Sequence, residues 1–254
     1  MDDQHADSRQ DQLVGVDHER LLRWLAQGQL DVLGLMPDSS NYTFLVEIDD
    51  GELHGLAVYK PRRGERPLWD FPRGTLCQRE VAAYLVSEAL GWQIVPPTVL
   101  RDAHPYGVGS VQLFIDADPD AHYFTLRGSD HAAFKRIAAF DLVTNNADRK
   151  GGHILKDRQG RLWGIDHGIT FHVEPKLRTV IWDYAGQPVP DTLLDDVRTL
   201  AERLERADDM LSMRLRELLD RAEIDALRRR IERLLRRPRY PEPGSGRSVP
   251  WPPI

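Results

Sequence analysis

The stretch DLVTNNADRKGGHILKDRQGRLWGIDHGITFH, Asp141 to His172, crowds polar groups around two short apolar runs and a tight turn. Charged and amide side chains are costly to bury without partners, and a plain surface does not need them at this density. Ile154-Leu155 and Leu162-Trp163 flank Asp157–Gly160, which is the pattern of a hairpin. If Asp157 faces Gly160, His153 lies opposite Gly164. Asp166 then reaches the same open end, with Asp148 just before it. Gly168 would let the backbone turn sharply past that end. One or two carboxylates plus a third ligand are what a divalent ion bridging nucleotide phosphates requires, the rest coming from phosphate and water. Taken singly, each Asp is equally a cap or a solvated turn residue, and the His a hydrogen-bonded structural group. Only their joint placement argues for a site.

The rest of the chain narrows the possibilities. Its 254 residues suffice for one large domain or two modest ones sharing a cleft. A composition of 41% hydrophobic and 29% charged residues is that of a globular protein. The net charge of −6 argues against general nucleic-acid binding. A single cysteine, Cys77, excludes an internal disulfide and a Cys-rich zinc site and suits a reducing compartment. The start MDDQHADSRQDQ is polar and acidic, unlike a signal peptide, and no apolar run approaches the roughly 20 residues of a membrane span. A cytoplasmic protein with at most peripheral membrane contact is expected. No P-loop, dinucleotide fingerprint or Ser-His-Asp order is present.

Residues 1–12 are expected to be disordered. A short helix follows around Leu21, Leu22, Trp24 and Leu25, before Gly28. Tyr42–Ile48 and Leu53–Tyr59 flank Asp50-Gly51, a strong hairpin signal, and Pro61 closes the second strand just after Lys60. A helix runs from Thr75, paired with Gln78 as a capping box, to Gly91, and it carries Glu80. VPPTVL and GVGSVQLFI read as further strands, His131–Thr144 as a helix, and Pro190–Arg237 as mostly helical. The Pro/Gly-rich end, 238–254, is expected to be unfolded. Seven arginines between Arg228 and Arg239 read as the solvated face of a helix, or else as a basic face for anionic lipid or nucleic acid. The expected architecture is an α+β domain over 13–237, with a strand-rich N-lobe (about 30–116), a helical C-lobe (about 117–237) and a cleft between them. Lys60 at a strand end and Glu80 on a helix match a lysine that grips nucleotide phosphates and the glutamate that orients it.

DLVTNNADRKGGHIL followed by GIDHG resembles the catalytic and metal-binding segments of the phosphatidylinositol 3- and 4-kinase superfamily, and most of all its type II phosphatidylinositol 4-kinase branch. AVYKP resembles that branch's lysine strand and VGSVQLFI its hinge strand, so the likeness runs in order from about Phe44 to Phe171. The resemblance implies a two-lobed, protein-kinase-like fold that binds ATP with Mg²⁺ or Mn²⁺ and transfers a phosphoryl group to a hydroxyl. It implies that Lys60, with Glu80, contacts the phosphates and that Gln112, Leu113, Phe114 and Ile115 line the adenine pocket. Asp148, followed by Arg149, would serve the attacking hydroxyl, and Asp166 the metal. Ser39, Ser40 and Asn41 stand in the phosphate-covering turn. His153 occupies the place of the family's asparagine metal ligand, and imidazole suits manganese better than magnesium. Lys176 and Arg178 are the only basic residues in the segment after Gly168 placed to grip a head group. The acceptor is a protein, a small molecule or an inositol lipid. The alternatives are a pseudokinase, a nucleotide-binding interaction module, or a member of the same fold that transfers AMP.

Overall fold

A computed structural model gives the fold and describes residues 13, 15–37, 41–129 and 131–254. The expected disordered start and the residues Ser39 and Ser40 lie outside the described residues. The chain divides into two compact units. One holds the described residues up to Val81 together with Pro96–Asp116, and the other holds Ala82–Val95 with Ala117–Ile254.

The first unit is built on a five-stranded antiparallel sheet in the order β1-β2-β3-β5-β4, from strands β1 Gln29–Leu35, β2 Phe44–Asp49, β3 His54–Pro61, β4 Thr98–Ala103 and β5 Gly107–Leu113. β2 alternates strictly, with Phe44, Val46 and Ile48 inward. This period of two fixes its register, because a slip of one residue would turn all three to solvent. Helix α1 (His18–Gln27) covers the sheet. Its cap is Asp17, whose carboxylate accepts from the Arg20 N–H, and Trp24 Nε1 donates to the Leu53 carbonyl at 3.1 Å. Trp24, Leu25, Val46, Ile48, Ala57, Tyr59 and Val111 form the core, each large side chain contributing roughly 1.5–3 kcal/mol by its burial. The Asp50-Gly51 hairpin forms as expected, closed by Asp50 N–H to Leu53 carbonyl. β1 has no counterpart in the sequence reading: alternation covers only Gln29–Val32, with Leu30 and Val32 half-buried, and beyond the register shift at Val32/Gly34 the strand is exposed and held by pairing with β2.

Helix α2 (Leu76–Ala89) belongs to the first unit in its opening turns and to the second thereafter. The Thr75–Gln78 box does not form, since the Thr75 hydroxyl donates to the Pro72 carbonyl at 2.8 Å. The stop at Gly91 does form. Trp92 N–H reaches back to the Ser87 carbonyl at 3.1 Å, closing the helix end.

The second unit contains helices α3 (Tyr123–Leu126) and α4 (His131–Thr144), a two-stranded hairpin of β6 (Ile154–Lys156) and β7 (Leu162–Gly164), and helices α5 (Asp191–Glu205), α6 (Met210–Leu218) and α7 (Arg221–Arg236). The apolar stripes of α4, α5 and α7, among them Phe134, Ile137, Phe140, Val197, Leu200, Leu204, Leu227 and Ile231, are buried as their spacing requires. Among the described residues no helix is long and apolar enough to cross a membrane.

Two expectations fail here. The end of the chain is not unfolded: Tyr240 is buried, its hydroxyl donates to the Lys135 carbonyl, and the carbonyls of Ser248 and Pro253 accept from Thr179 and Gly151. Proline removes donors and periodicity but leaves every carbonyl available, so a segment without sequence pattern still closes the hydrogen bonds of neighbouring loops. Nor are the arginines of α7 simply a solvated face, since Arg229, Arg230 and Arg233, with Arg237 just after the helix, line one cavity.

Candidate active site

Lys60 lies on β3 opposite Ser110 of β5, and its Nζ is 2.5 Å from Glu80 Oε1 on α2. Glu80 is 3% exposed and Lys60 21%. A carboxylate so deeply buried needs a cationic partner, whereas the lysine side chain stays partly exposed to solvent. β5 approaches this strand closely, since a Cβ on Gly109 would stand 2.5 Å from the Lys60 carbonyl oxygen and 2.6 Å from the Tyr59 ring. In the loop before β2, Asn41 Oδ1 accepts from the Arg66 N–H at 2.8 Å, so this oxygen closes the loop. The hinge strand is more selective than the sequence implies. Gln112 is buried and donates its amide to Thr98 Oγ1 at 2.8 Å, so it braces the sheet. The N–H groups of Leu113 and Phe114 are taken by the carbonyls of Pro97 and Leu56. The N–H of half-buried Ile115 has no partner among the described residues and is the donor left for a ligand edge.

In the second unit the hairpin register differs by one residue from the expected one. Ile154, not His153, pairs with Gly164. The turn closes from Asp157 N–H to the Arg161 carbonyl, and Gly160 takes φ +85°. That left-handed glycine makes a three-residue connection, one residue longer than the turn assumed. Pairing continues past β7, where Ile165 N–H donates to the His153 carbonyl at 2.9 Å. Convergence of His153 and Asp166 therefore survives the correction: His153 Nε2 lies 3.2 Å from Asp166 Oδ2. The sharp turn falls on Asp166 itself, at φ +59°, and not on Gly168. A non-glycine residue held there stores local strain, which is characteristic of side chains aimed for a purpose.

The loop before the hairpin is locked from below. Asp141 on α4 is fully buried and accepts from Asn146 Nδ2 at 3.0 Å and from Arg149 Nε and Nη2 at 2.9–3.1 Å. Asn146 Oδ1 in turn accepts from the Asp148 N–H at 2.9 Å. Arg149 is also fully buried, and its Nη1 donates to the carbonyls of His153 and Ile165. Because a guanidinium only donates, His167 Nε2, 2.6 Å from Arg149 Nη2, is the acceptor. The role beside the attacking hydroxyl that the family pattern implies for Arg149 is thus excluded: a side chain with no exposed surface touches no substrate. It positions the two segments that carry His153 and Asp166. Asp141 and His167 were missed as members of this cluster. The signal for Asp141 was a lone acid inside the apolar run AAFDLV.

Asp148 is the titratable group this scaffold presents. Burial, aided by the nearby Asp166 charge and opposed by Lys150 at 3.7 Å, raises its pKa to about 6. A carboxyl poised there is deprotonated at neutral pH yet basic enough to take a proton from a hydroxyl.

The donor set suits a divalent ion in part. Two ligands of one octahedral ion lie about 3 Å apart, close to the His153–Asp166 separation. Among the described residues no three His, Cys, Asp or Glu side chains gather to hold an ion unaided, so phosphate and water would complete the shell. His153 Nδ1 accepts from the Lys150 N–H at 3.4 Å, which leaves the proton on Nε2, facing Asp166. An ion at Nε2 must displace that proton and the weak contact with it.

An antiparallel five-stranded unit with a strand lysine paired to a helix glutamate, and a helical unit with an aspartate loop and hairpin, make this an α+β protein of kinase-like fold. The solved structure of the Golgi casein kinase with Mn/ADP bound superposes with a TM-score of 0.55 at 14% identity, covering 86% of this chain and 74% of that one. The chain belongs to the family of protein Rv2133c of Mycobacterium tuberculosis, to which it is 44% identical over 263 residues, 90% of this chain and 93% of the relative. It is also 28% identical over 198 residues to phosphatidylinositol 4-kinase gamma 4 of Oryza sativa subsp. japonica, spanning 64% of this chain and 34% of that protein. No family model matches the sequence.

Proposed function

We propose that the protein is an ATP- and divalent-metal-dependent phosphotransferase, akin to phosphatidylinositol 3- and 4-kinases, that delivers a phosphoryl group to a hydroxyl. The observation that supports it most is the Lys60–Glu80 pair, 2.5 Å long with the carboxylate buried and the ammonium partly open. Kinases use this arrangement to aim a lysine at nucleotide phosphates. The Mn/ADP held by the Golgi casein kinase supports the same ligand class, and the likeness to the plant phosphatidylinositol 4-kinase supports the acceptor type, a hydroxyl. Lys60 would bind phosphate oxygens, the Ile115 N–H would meet the base, and Asp148 would take the proton of the attacking hydroxyl. His153 and Asp166 would hold Mg²⁺ or Mn²⁺, which when bound neutralises phosphate charge. Arg149 and Asp141 would keep Asp148 and Asp166 in place.

Calorimetric titration of ATP with Mg²⁺, with Mn²⁺ and with neither tests this, with Asp166→Ala beside the native protein. Metal-dependent binding that Asp166→Ala abolishes is expected, followed by transfer of the γ-phosphate to a hydroxyl acceptor. Absence of binding under all three conditions would refute it. The His153–Asp166 contact favours one rival: if that pair stays closed on itself, nucleotide binds without metal and nothing is transferred, as in a pseudokinase. Transfer of a larger mass, that of AMP, would identify the other rival.

A further inference from the structure

The second unit holds a cavity of about 920 Å³ with an unusual wall. Seven arginines and Lys176 face it, against a single carboxylate, Glu242. These cations come from three separate places: Lys176 and Arg178 from the segment after the hairpin, four arginines from α7 and the residue following it, and Arg239 and Arg247 from the end of the chain. Leu142, Val173, Leu177, Trp182 and Leu234 supply apolar floor between them. In a chain of net charge −6, such a gathering is not a reflection of composition.

Most arginines elsewhere in this unit are paired: Arg149 with Asp141, Arg198 with Asp195, Arg203 with Asp209 and Arg214 with Glu217. Those of the cavity are not. Arg178, Arg229, Arg233 and Arg237 form no ion pair among the described residues. Arg230 is engaged on one side only: Nε donates to the Val143 carbonyl at 3.0 Å and Nη1 to the His172 carbonyl at 3.1 Å, while Nη2 is buried with no hydrogen-bond partner among the described residues. A buried donor without an acceptor is a free-energy cost that folded proteins avoid. Burial and the flanking Arg229 and Arg233 push its pKa down to about 10, so the guanidinium is held against an adverse local field. An anion supplied from outside would relieve both the repulsion and the orphaned donor.

We infer that this cavity binds a small soluble molecule bearing several phosphate groups, with its non-phosphate part against Trp182 and the apolar floor. The size suits a compound of nucleotide dimensions, and the planar, many-donor guanidinium is the side chain best matched to phosphate oxygens. One wall is continuous with the Asp148 loop, since Arg178 N–H donates to the Asn146 carbonyl and Arg149 N–H to the Arg178 carbonyl. Occupancy would therefore brace that loop as well as fill the cavity.

The test uses the full chain and inorganic tripolyphosphate with no divalent metal, so that failure of the kinase proposal and failure of this one are separate results. Saturable binding by calorimetry and a rise in melting temperature are expected. Arg233→Gln with Arg237→Gln, both exposed and without packing roles, is expected to weaken binding roughly tenfold or more. The surface pair Arg198→Gln with Arg214→Gln is expected to leave it unchanged. No binding by the folded native protein, or equal weakening by the surface pair, would each overturn the assignment. So would sedimentation with phosphatidylserine vesicles in the absence of tripolyphosphate binding, which would mark a membrane-facing surface.

Discussion

Each unit holds a cation–carboxylate pair with a buried carboxylate, and the two are built differently. Lys60–Glu80 joins a carboxylate 3% exposed to a cation that keeps 21% of its side chain exposed. Arg149–Asp141 is sealed at 0% on both sides and is tied to Asn146, His167 and two backbone carbonyls. An ion pair whose cation reaches solvent can turn that cation toward a ligand. One sealed on both sides with every guanidinium donor used can only hold its surroundings. The access of the cation to solvent, then, is what separates the two pairs.

The strongest way to break that contrast is Arg149→Met. It leaves Asp141 charged in a sealed interior, and the expected loss is about 3–5 kcal/mol, enough to unfold the second unit in urea denaturation. Survival of a cooperative transition near the native midpoint would show that the cluster is dispensable. Asp148→Asn should act the opposite way, lowering phosphoryl transfer by about 10²–10⁴-fold while the fold persists.

The same residue sets a pH dependence. Its folded pKa, about 6, lies above that of a free carboxyl, so between pH ~4 and ~6 the folded state binds a proton the unfolded chain has released. Stability of the ligand-free protein should fall as pH rises through that window, by about 2 kcal/mol relative to Asp148→Asn. Transfer should rise over the same window as the carboxylate forms. A flat difference between the two proteins from pH 4 to 7 would contradict the assignment.

Lys60→Met probes the open pair. It should lose metal–nucleotide affinity in calorimetry and cost about 3 kcal/mol of stability, the low end for a buried carboxylate left without its cation, less than Arg149→Met. An equal or larger loss would make Lys60 structural too. The smallest effect is expected from His153→Asn, a shift of roughly tenfold from Mn²⁺ toward Mg²⁺ in metal-dependent ATP binding. An unchanged preference would remove His153 from the metal set.

Much of this was legible from patterns with a period. The alternation of Phe44, Val46 and Ile48, the Asp50-Gly51 turn, the span His131–Thr144 and the leucines of α5 each state their structure locally. Lys60 and Glu80 could be paired because a strand end and a helix were both readable, although the cap read at Thr75 does not form. The remainder depends on where distant pieces meet. The hairpin register turned on the backbone angle of Gly160, which composition does not specify. Asp141 and His167 become a scaffold only through Arg149. The cationic cavity draws its wall from segments on α7, in the 170s and in the 240s, each of which read alone as an ordinary charged stretch. Gln112, placed in the adenine pocket by analogy of position, turns inward to Thr98, a choice made by the neighbouring strand.

The acceptance of the Gly151 N–H by the Pro253 carbonyl, at 2.7 Å, also has a kinetic meaning. The loop that presents Asp148 is completed by a contact about a hundred residues downstream, a long-range closure of the kind that slows folding. During synthesis the α4 helix and the hairpin can form early, but this loop stays without one of its bonds until the segment around Pro253 has emerged and docked. The competent geometry is therefore assembled late, and a nascent or C-terminally clipped chain would hold its helices before it holds its site.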